Sequence, residues 1–183
     1  MHKLSYLNGT HWTEHSYAPV FAELSTSEGS KRIIAGVPGG DALPFEQVVL
    51  ATEPPYHLLY VLHTPRGEGD SGRYQSPELS PQEFQSFMAQ FGAYLSSDAR
   101  FDLWAYSPGE RATVVWDRHN QLFAYGPLEK FATRLKALGF YAGQAEVPVP
   151  HQHHYRQEFD VQAAQLLAAL EWSHSPLRPE DEQ

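Results

Sequence analysis

Histidines are concentrated near the C-terminal end of the chain, in the run His151-Gln152-His153-His154. Alternate side chains of an extended segment project to the same side, so His151 and His153 would present two imidazoles to one ligand. Imidazole is a good ligand for Zn²⁺ and Ni²⁺. No carboxylate or further histidine adjoins this run, so a complete site would need a ligand brought in by the fold. The alternative is a polar, solvent-exposed helix start that binds metal only adventitiously.

A second histidine pattern, His11-Trp12-Thr13-Glu14-His15, matches H-x-x-E-H. On a helix, residues four apart share one face. The pattern resembles the signature of the inverzincin metalloproteases, and the resemblance covers these five residues alone. It implies a zinc ion held by His11 and His15, with Glu14 activating a metal-bound water. Chance matches to so short a pattern arise easily in a chain with ten histidines.

A glycine pattern of the form G-x-G-x-x-G occurs at Gly67-Glu68-Gly69-Asp70-Ser71-Gly72. In dinucleotide-binding folds, the third glycine lies in a helix whose N-terminus holds the pyrophosphate. Here the next predicted helix begins only at Ser80, and Glu68 and Asp70 would place negative charge against a phosphate. The pattern therefore favours a surface loop over a nucleotide site.

Polar side chains at the ends of predicted strands offer a third kind of site. If the strands predicted over 57–63 and 101–106 are parallel neighbours, His63, Arg66 and Ser107 meet at one rim of the sheet, where α/β proteins often bind ligands. Arg66 and Arg73 flank the glycine loop, and guanidinium groups grip carboxylates and other small anions. The sequence thus predicts a small-molecule or anion site formed by His63, Arg66, Arg73 and Ser107.

Composition excludes several classes of function. The chain has no cysteine, which rules out disulfides, iron–sulfur clusters and thiol catalysis, and it contains no G-x-S-x-G elbow for a nucleophilic serine. A net charge of −9 argues against nucleic acid as a partner. No apolar stretch has the length of a signal peptide or a membrane span, so we expect a soluble, cytoplasmic protein without a membrane partner.

Three amphipathic helices are predicted. The first starts at the capping box Ser80-Pro81-Gln82-Glu83. Its apolar stripe includes Phe84, Phe87 and Phe91. The second carries its stripe between Leu128 and Leu138, and the third runs from about Tyr155 to Leu170. A weak pattern around Phe45 suggests one further short helix.

Runs rich in aromatic and β-branched residues predict six strands, over 17–24, 32–37, 57–63, 101–106, 112–117 and 121–125. We expect a single α+β domain over residues 1–175, with a mostly antiparallel sheet of about five to six strands and three main helices packed on it. The helix between the strands over 57–63 and 101–106 would allow one parallel crossover. Residues 176–183 form an acidic tail that we expect to be disordered.

Three functions remain open on the sequence. The first is an acidic protein-binding or regulatory module whose partner is another protein or a second copy of the chain. The second is a small enzyme or anion binder at the rim with His63 and Arg66. The third is a metal-binding protein that uses either His11 and His15 or His151 and His153. No cofactor is expected beyond an adventitious or structural zinc or nickel ion.

Overall fold

The computed structural model describes residues 1–26 and 29–181. Over these residues the chain forms twelve strands in two sheets and four α-helices, so the predicted α+β class is confirmed. The prediction of one sheet with five to six strands and three helices is wrong. The strands it lacks are two to five residues long and mostly exposed, so they have little of the apolar alternation that marks a strand in a sequence.

The larger sheet has nine strands. In spatial order they are β10 (Tyr141–Ala142), β3 (Val20–Ser25), β4 (Lys31–Gly36), β9 (Gln121–Tyr125), β8 (Ala112–Trp116), β7 (Phe101–Ser107), β5 (His57–Leu62), β6 (Gly72–Gln75) and β12 (Ser173–Ser175). All neighbours are antiparallel except β10 and β3. The three strands β7, β8 and β9 follow one another as hairpins and form the centre of the sheet.

The strands β5 and β7 are antiparallel neighbours, with Leu62 opposite Phe101 and His57 opposite Tyr106. The expected parallel crossover between them is therefore wrong. After β5, strand β6 runs back along it, and the long helix over Pro81–Ser97 then returns the chain to the C-terminal end of β5, so β7 also runs antiparallel to β5. As a result His63 lies beside the start of β7, while Ser107 lies at its other end, about 20 Å away at the usual rise per residue.

Four α-helices supply apolar side chains to one core: α1 (Leu43–Val49), α2 (Pro81–Ser97), α3 (Leu128–Ala137) and α4 (Asp160–Ala169). The capping box of α2 is confirmed, since Ser80 Oγ accepts from the Glu83 amide at 3.3 Å and the Glu83 carboxylate accepts from the Ser80 amide at 2.8 Å. Phe84, Phe87 and Phe91 are buried as predicted. The last helix starts later than predicted, after a 3₁₀ turn at Gln157–Phe159.

The two faces of the larger sheet differ. Along β7, Phe101, Leu103 and Ala105 belong to the core beneath the helices. The alternate residues Asp102, Trp104 and Tyr106 project from the opposite face, because successive side chains of a strand point to opposite sides. We call this opposite side the outer face.

The smaller sheet has three antiparallel strands in the order β11 (His151–His153), β1 (Leu4–Asn8) and β2 (His11–Glu14). Lys3, just before β1, is fully buried and joins this sheet to the larger one. Its Nζ donates to the carbonyl of Asp117 at 3.0 Å and lies 4.3 Å from the Trp116 ring centroid. The smaller sheet is thereby held against the turn that joins β8 to β9.

The end of the chain passes close to the outer face. Pro179–Asp181 form a 3₁₀ turn, and Asp181 is buried in an ion pair with Arg73. Residues 176–181 of the predicted tail are described by the structure, while 182 and 183 lie outside the described residues. Across residues 1–26 and 29–181, no helix combines the length and the apolar character needed to cross a membrane.

Candidate metal centre

The turn between β8 and β9 places His119 in front of the smaller sheet. The Asp117 carboxylate accepts from the amide of Gln121 at 2.8 Å, and the Asp117 carbonyl accepts from the amide of Asn120 at 3.1 Å. Asn120 has a φ of +64°, a left-handed conformation that asparagine tolerates better than most residues. The residue types at the ends of the turn therefore fix the position of the histidine between them.

Three histidines meet at the junction of the two sheets: His119 from the turn, and His151 and His153 from β11. One ring nitrogen from each lies within 4.8 Å of the others. The ring centroids are 4.9 to 5.3 Å apart, and all three residues are half-buried. Zinc–nitrogen bonds of about 2.0–2.1 Å place tetrahedral ligand atoms about 3.3 Å apart, so a bound ion would draw this triangle together by a modest amount.

Two of the rings are held by acceptors at Nδ1. His119 Nδ1 lies 2.8 Å from Asp117 Oδ2, and His151 Nδ1 lies 2.9 Å from the carbonyl of Pro148. A carboxylate and a carbonyl can only accept, so each Nδ1 carries a proton, and in the neutral tautomer Nε2 is the nitrogen that can bind a metal. Metal-binding histidines in proteins nearly always have such a partner on the second nitrogen, which fixes both tautomer and ring orientation.

The third ring lacks a partner. His153 Nε2 is buried and makes no hydrogen bond within the described part of the chain. Burial, reinforced by the nearby His119 and His151, lowers the pKa of His153 to about 3. The ring is therefore neutral at physiological pH, as metal coordination requires. An ion bound in the triangle would give this nitrogen the partner that it lacks.

Lys3 contacts both chain segments that carry His119, His151 and His153, the three residues that we call the histidine triangle. Its side chain donates to the carbonyl of Asp117, the residue whose carboxylate orients His119. Its own carbonyl accepts from the amide of His154 at 2.8 Å, directly after β11. Burial lowers the pKa of Lys3 to about 8, with the charge of Asp117 acting in the opposite direction. One buried residue thus connects the turn with the strand that carries the other two histidines.

Three neutral nitrogen ligands can hold a divalent transition metal and leave one tetrahedral position open. Structural zinc sites are closed by four protein ligands, whereas three ligands leave room for a water or another molecule. Because the ligands carry no charge, the ion would keep its full positive charge. It could then polarise a bound water or carbonyl.

The histidines of the H-x-x-E-H pattern are not brought together. His11 and Glu14 lie in strand β2 rather than on a helix, and His15 directly follows it. Four residues of extended chain separate His11 from His15 by about 13 Å, so the two rings cannot share an ion. The His15 ring instead packs edge-on against Tyr6 and Tyr17. The helical spacing that the resemblance requires is absent.

The residues predicted at the sheet rim do not all come together. Each is bonded to a different partner: His63 to Asp102, Arg66 to Asp160, Arg73 to Asp181, and Ser107 to the carbonyl of Glu53. The antiparallel pairing of β5 and β7 separates Ser107 from the other three. The anion site at this rim stays a prediction.

Comparison of the chain with protein-family models, curated proteins and solved structures finds no match. The metal hypothesis from the sequence included His151 and His153 but not His119, which lies 32 residues before His151. One signal was present: Asp117 and His119 stand two apart in a hairpin turn, the arrangement in which a carboxylate can orient an imidazole.

Proposed function

We propose that the protein binds one divalent transition-metal ion, preferably Zn²⁺, through His119, His151 and His153. The observation that supports the proposal is the hydrogen bonding of the three imidazole rings. Two have Nδ1 engaged by fixed acceptors, and the third has a buried nitrogen without a partner. Of the two metal-binding alternatives from the sequence, the proposal takes the one with His151 and His153 and adds His119 as the third ligand.

The arrangement differs from the surface histidine clusters that bind nickel adventitiously. Such clusters are mobile and exposed, and their rings are not oriented by other groups. Here the Asp117 carboxylate and the Pro148 carbonyl orient two of the rings, and burial keeps His153 neutral. A preset triangle loses less conformational entropy on binding than three mobile side chains would.

Binding would also connect two parts of the fold. His119 belongs to the larger sheet, while His151 and His153 belong to the smaller one. An ion bound to the folded state alone stabilises it, by about 2.7 kcal/mol when its concentration is a hundred times the Kd. The protein-binding role predicted from the sequence stays a prediction, since no contact described above bears on it.

The test is a calorimetric titration of Zn²⁺ into untagged protein, purified without nickel and stripped with a chelator. We expect one ion per chain. Loss of an outer partner already costs about 10–100-fold in metal affinity, so removing a ligand in H119A or H153A should weaken binding by more than about 100-fold. The control is H11A, because His11 is exposed and lies outside the triangle. Millimolar binding by the wild type, or wild-type affinity in H119A and H153A, would refute the proposal.

A further inference from the structure

The outer face of the larger sheet carries two adjoining pockets, one of which is lined by Asp117, the residue that bonds His119. Their volumes are about 220 Å³ and 340 Å³. Trp104 and Thr113, on the neighbouring strands β7 and β8, line both pockets, so the two form one continuous groove. Each pocket has a different chemical character.

The smaller pocket combines aromatic rings with carboxylates. Its lining includes three rings and four acidic side chains: Trp104, Phe123, Tyr125, Asp102, Asp117, Glu180 and Asp181. The face of an aromatic ring attracts cations through its quadrupole, and a carboxylate attracts them through its charge. Both kinds of group favour the same class of ligand, a positively charged one.

The charges of this pocket are only partly balanced within the protein. Arg118 Nε lies 3.6 Å from Asp102, and Arg73 pairs with Asp181. Asp102 also bonds His63, and Asp117 bonds the His119 ring and an amide, whereas Glu180 makes no ion pair with the described residues. The lining of this pocket itself contributes four carboxylates and no lysine or arginine.

Two arginines at the margin of the smaller pocket lie over its aromatic rings. The Arg73 guanidinium lies 5.9 Å from the centroid of Trp104. The Arg32 guanidinium lies 5.0 Å from that of Phe123 and 6.0 Å from that of Tyr125. These separations are at or within the range of about 6 Å at which cation–π attraction operates.

The larger pocket is more apolar. Besides Trp104 and Thr113 it is lined by Leu58, Leu59 and Tyr106, with His57 and Gln75 as its other polar residues. None of its lining residues is a carboxylate, arginine or lysine. This pocket suits an uncharged hydrocarbon or aromatic body.

We infer that the outer face binds a small organic cation, with its ammonium or guanidinium head in the smaller pocket and an apolar body in the larger one. Because Trp104 borders both pockets, its ring would contact the junction of head and body. The inference goes beyond metal binding and does not depend on it.

The test uses chelator-treated protein and three probes of nearly equal shape: phenethylammonium, the neutral phenethyl alcohol and the phenylacetate anion. Binding is followed by calorimetry and by the tryptophan indole resonances in NMR. We expect the ammonium probe to bind at least about tenfold more tightly than the alcohol, and the anion to bind least. W104L and E180Q should each weaken binding of the ammonium probe.

The matched control is Y141L, because Tyr141 is an exposed aromatic residue on β10 that lines neither pocket. Equal affinity for the ammonium and the alcohol would overturn the inference, as would unchanged binding in W104L. Failure of the ammonium probe to saturate the protein at millimolar concentration would overturn it as well. Since no metal is present, none of these outcomes bears on the histidine triangle.

Discussion

Two buried polar clusters in this protein are built in opposite ways. Arg100 is fully buried, and each of its side-chain nitrogens has an acceptor: Nε donates to Asp98 at 2.9 Å, Nη1 to Glu68 at 3.0 Å and Nη2 to Asp160 at 3.1 Å. In the histidine triangle, His153 Nε2 is buried with no partner in the described chain. The arginine cluster has a partner for every side-chain nitrogen, whereas the histidine triangle has one buried nitrogen without a partner among the described residues.

The two clusters also shift the pKa of their buried side chain in opposite directions. Burial by itself would lower the pKa of Arg100, but the hydrogen bonds to Asp98 and the charges around it raise that pKa above its ordinary value. Around His153, burial and the neighbouring rings act in the same direction and lower the pKa to about 3. The fold therefore maintains a permanent cation in one cluster and a neutral ligand in the other.

The largest expected effect comes from breaking the completed cluster. R100M would leave Asp98 and Glu68 buried without their cation, and removing one partner of a buried pair costs about 3–5 kcal/mol. We expect the free energy of unfolding in urea to fall by that amount, with or without zinc. H119A in the metal-free protein should cost only about 1 kcal/mol, the contribution of one hydrogen bond. Equal losses of unfolding free energy in R100M and H119A would contradict the proposed difference between the two clusters.

A smaller effect is expected from the carboxylate behind the triangle. D117N keeps the size of the side chain but removes the negative charge that orients His119, so zinc should bind about 10–100-fold more weakly. Calorimetric titration measures the change. E129Q controls for the loss of one negative charge, because Glu129 is exposed on α3. Unchanged affinity in D117N would show that the carboxylate does not position the ligand.

The smallest effect, taken over one pH unit, is a pH dependence of stability in the metal-free protein. Unfolding returns the pKa of His153 from about 3 to its ordinary value of 6.5, so between these values the unfolded chain holds a proton that the folded chain does not. Stability should therefore decrease as the pH falls from about 6.5 towards 3, by up to about 1.4 kcal/mol per pH unit from this group.

H153N removes this group, so the wild type should show the steeper dependence of the unfolding free energy on pH. The charged and titratable neighbours that set the pKa, namely Arg118, Asp102, His119 and His151, are present in both proteins. Identical slopes in urea melts at pH 4 to 6 (roughly the middle of this window) would contradict the expected neutral state of His153.

The elements with strong local signals could be predicted from the sequence. The capping box at Ser80 and the three phenylalanines that follow it determine α2, and the aromatic and β-branched runs determine β7 to β9. Short strands such as β6 and β12 could not be predicted. Their residues are mostly polar, only Tyr74 contributes its side chain to the core, and the two strands pair with each other.

The same division applies to the site. His151 and His153 could be selected because their spacing in a strand puts both rings on one side. His119 could not be joined to them, since its approach depends on how the smaller sheet docks through Lys3, a contact between residues 114 positions apart. The glycine pattern that contains Glu68 is the opposite example, because it suggested a binding site in the sequence but has a structural role in the fold. A pattern that looks like a nucleotide loop instead contributes a buried carboxylate to Arg100.

Metal binding by the histidine triangle is tested most directly by anomalous X-ray scattering from crystals of the protein grown with zinc. We predict one anomalous peak per chain, bonded to a nitrogen of each of His119, His151 and His153 at about 2.0–2.1 Å. A zinc ion held elsewhere, for example by His11 or His15, with none in the triangle, would contradict it.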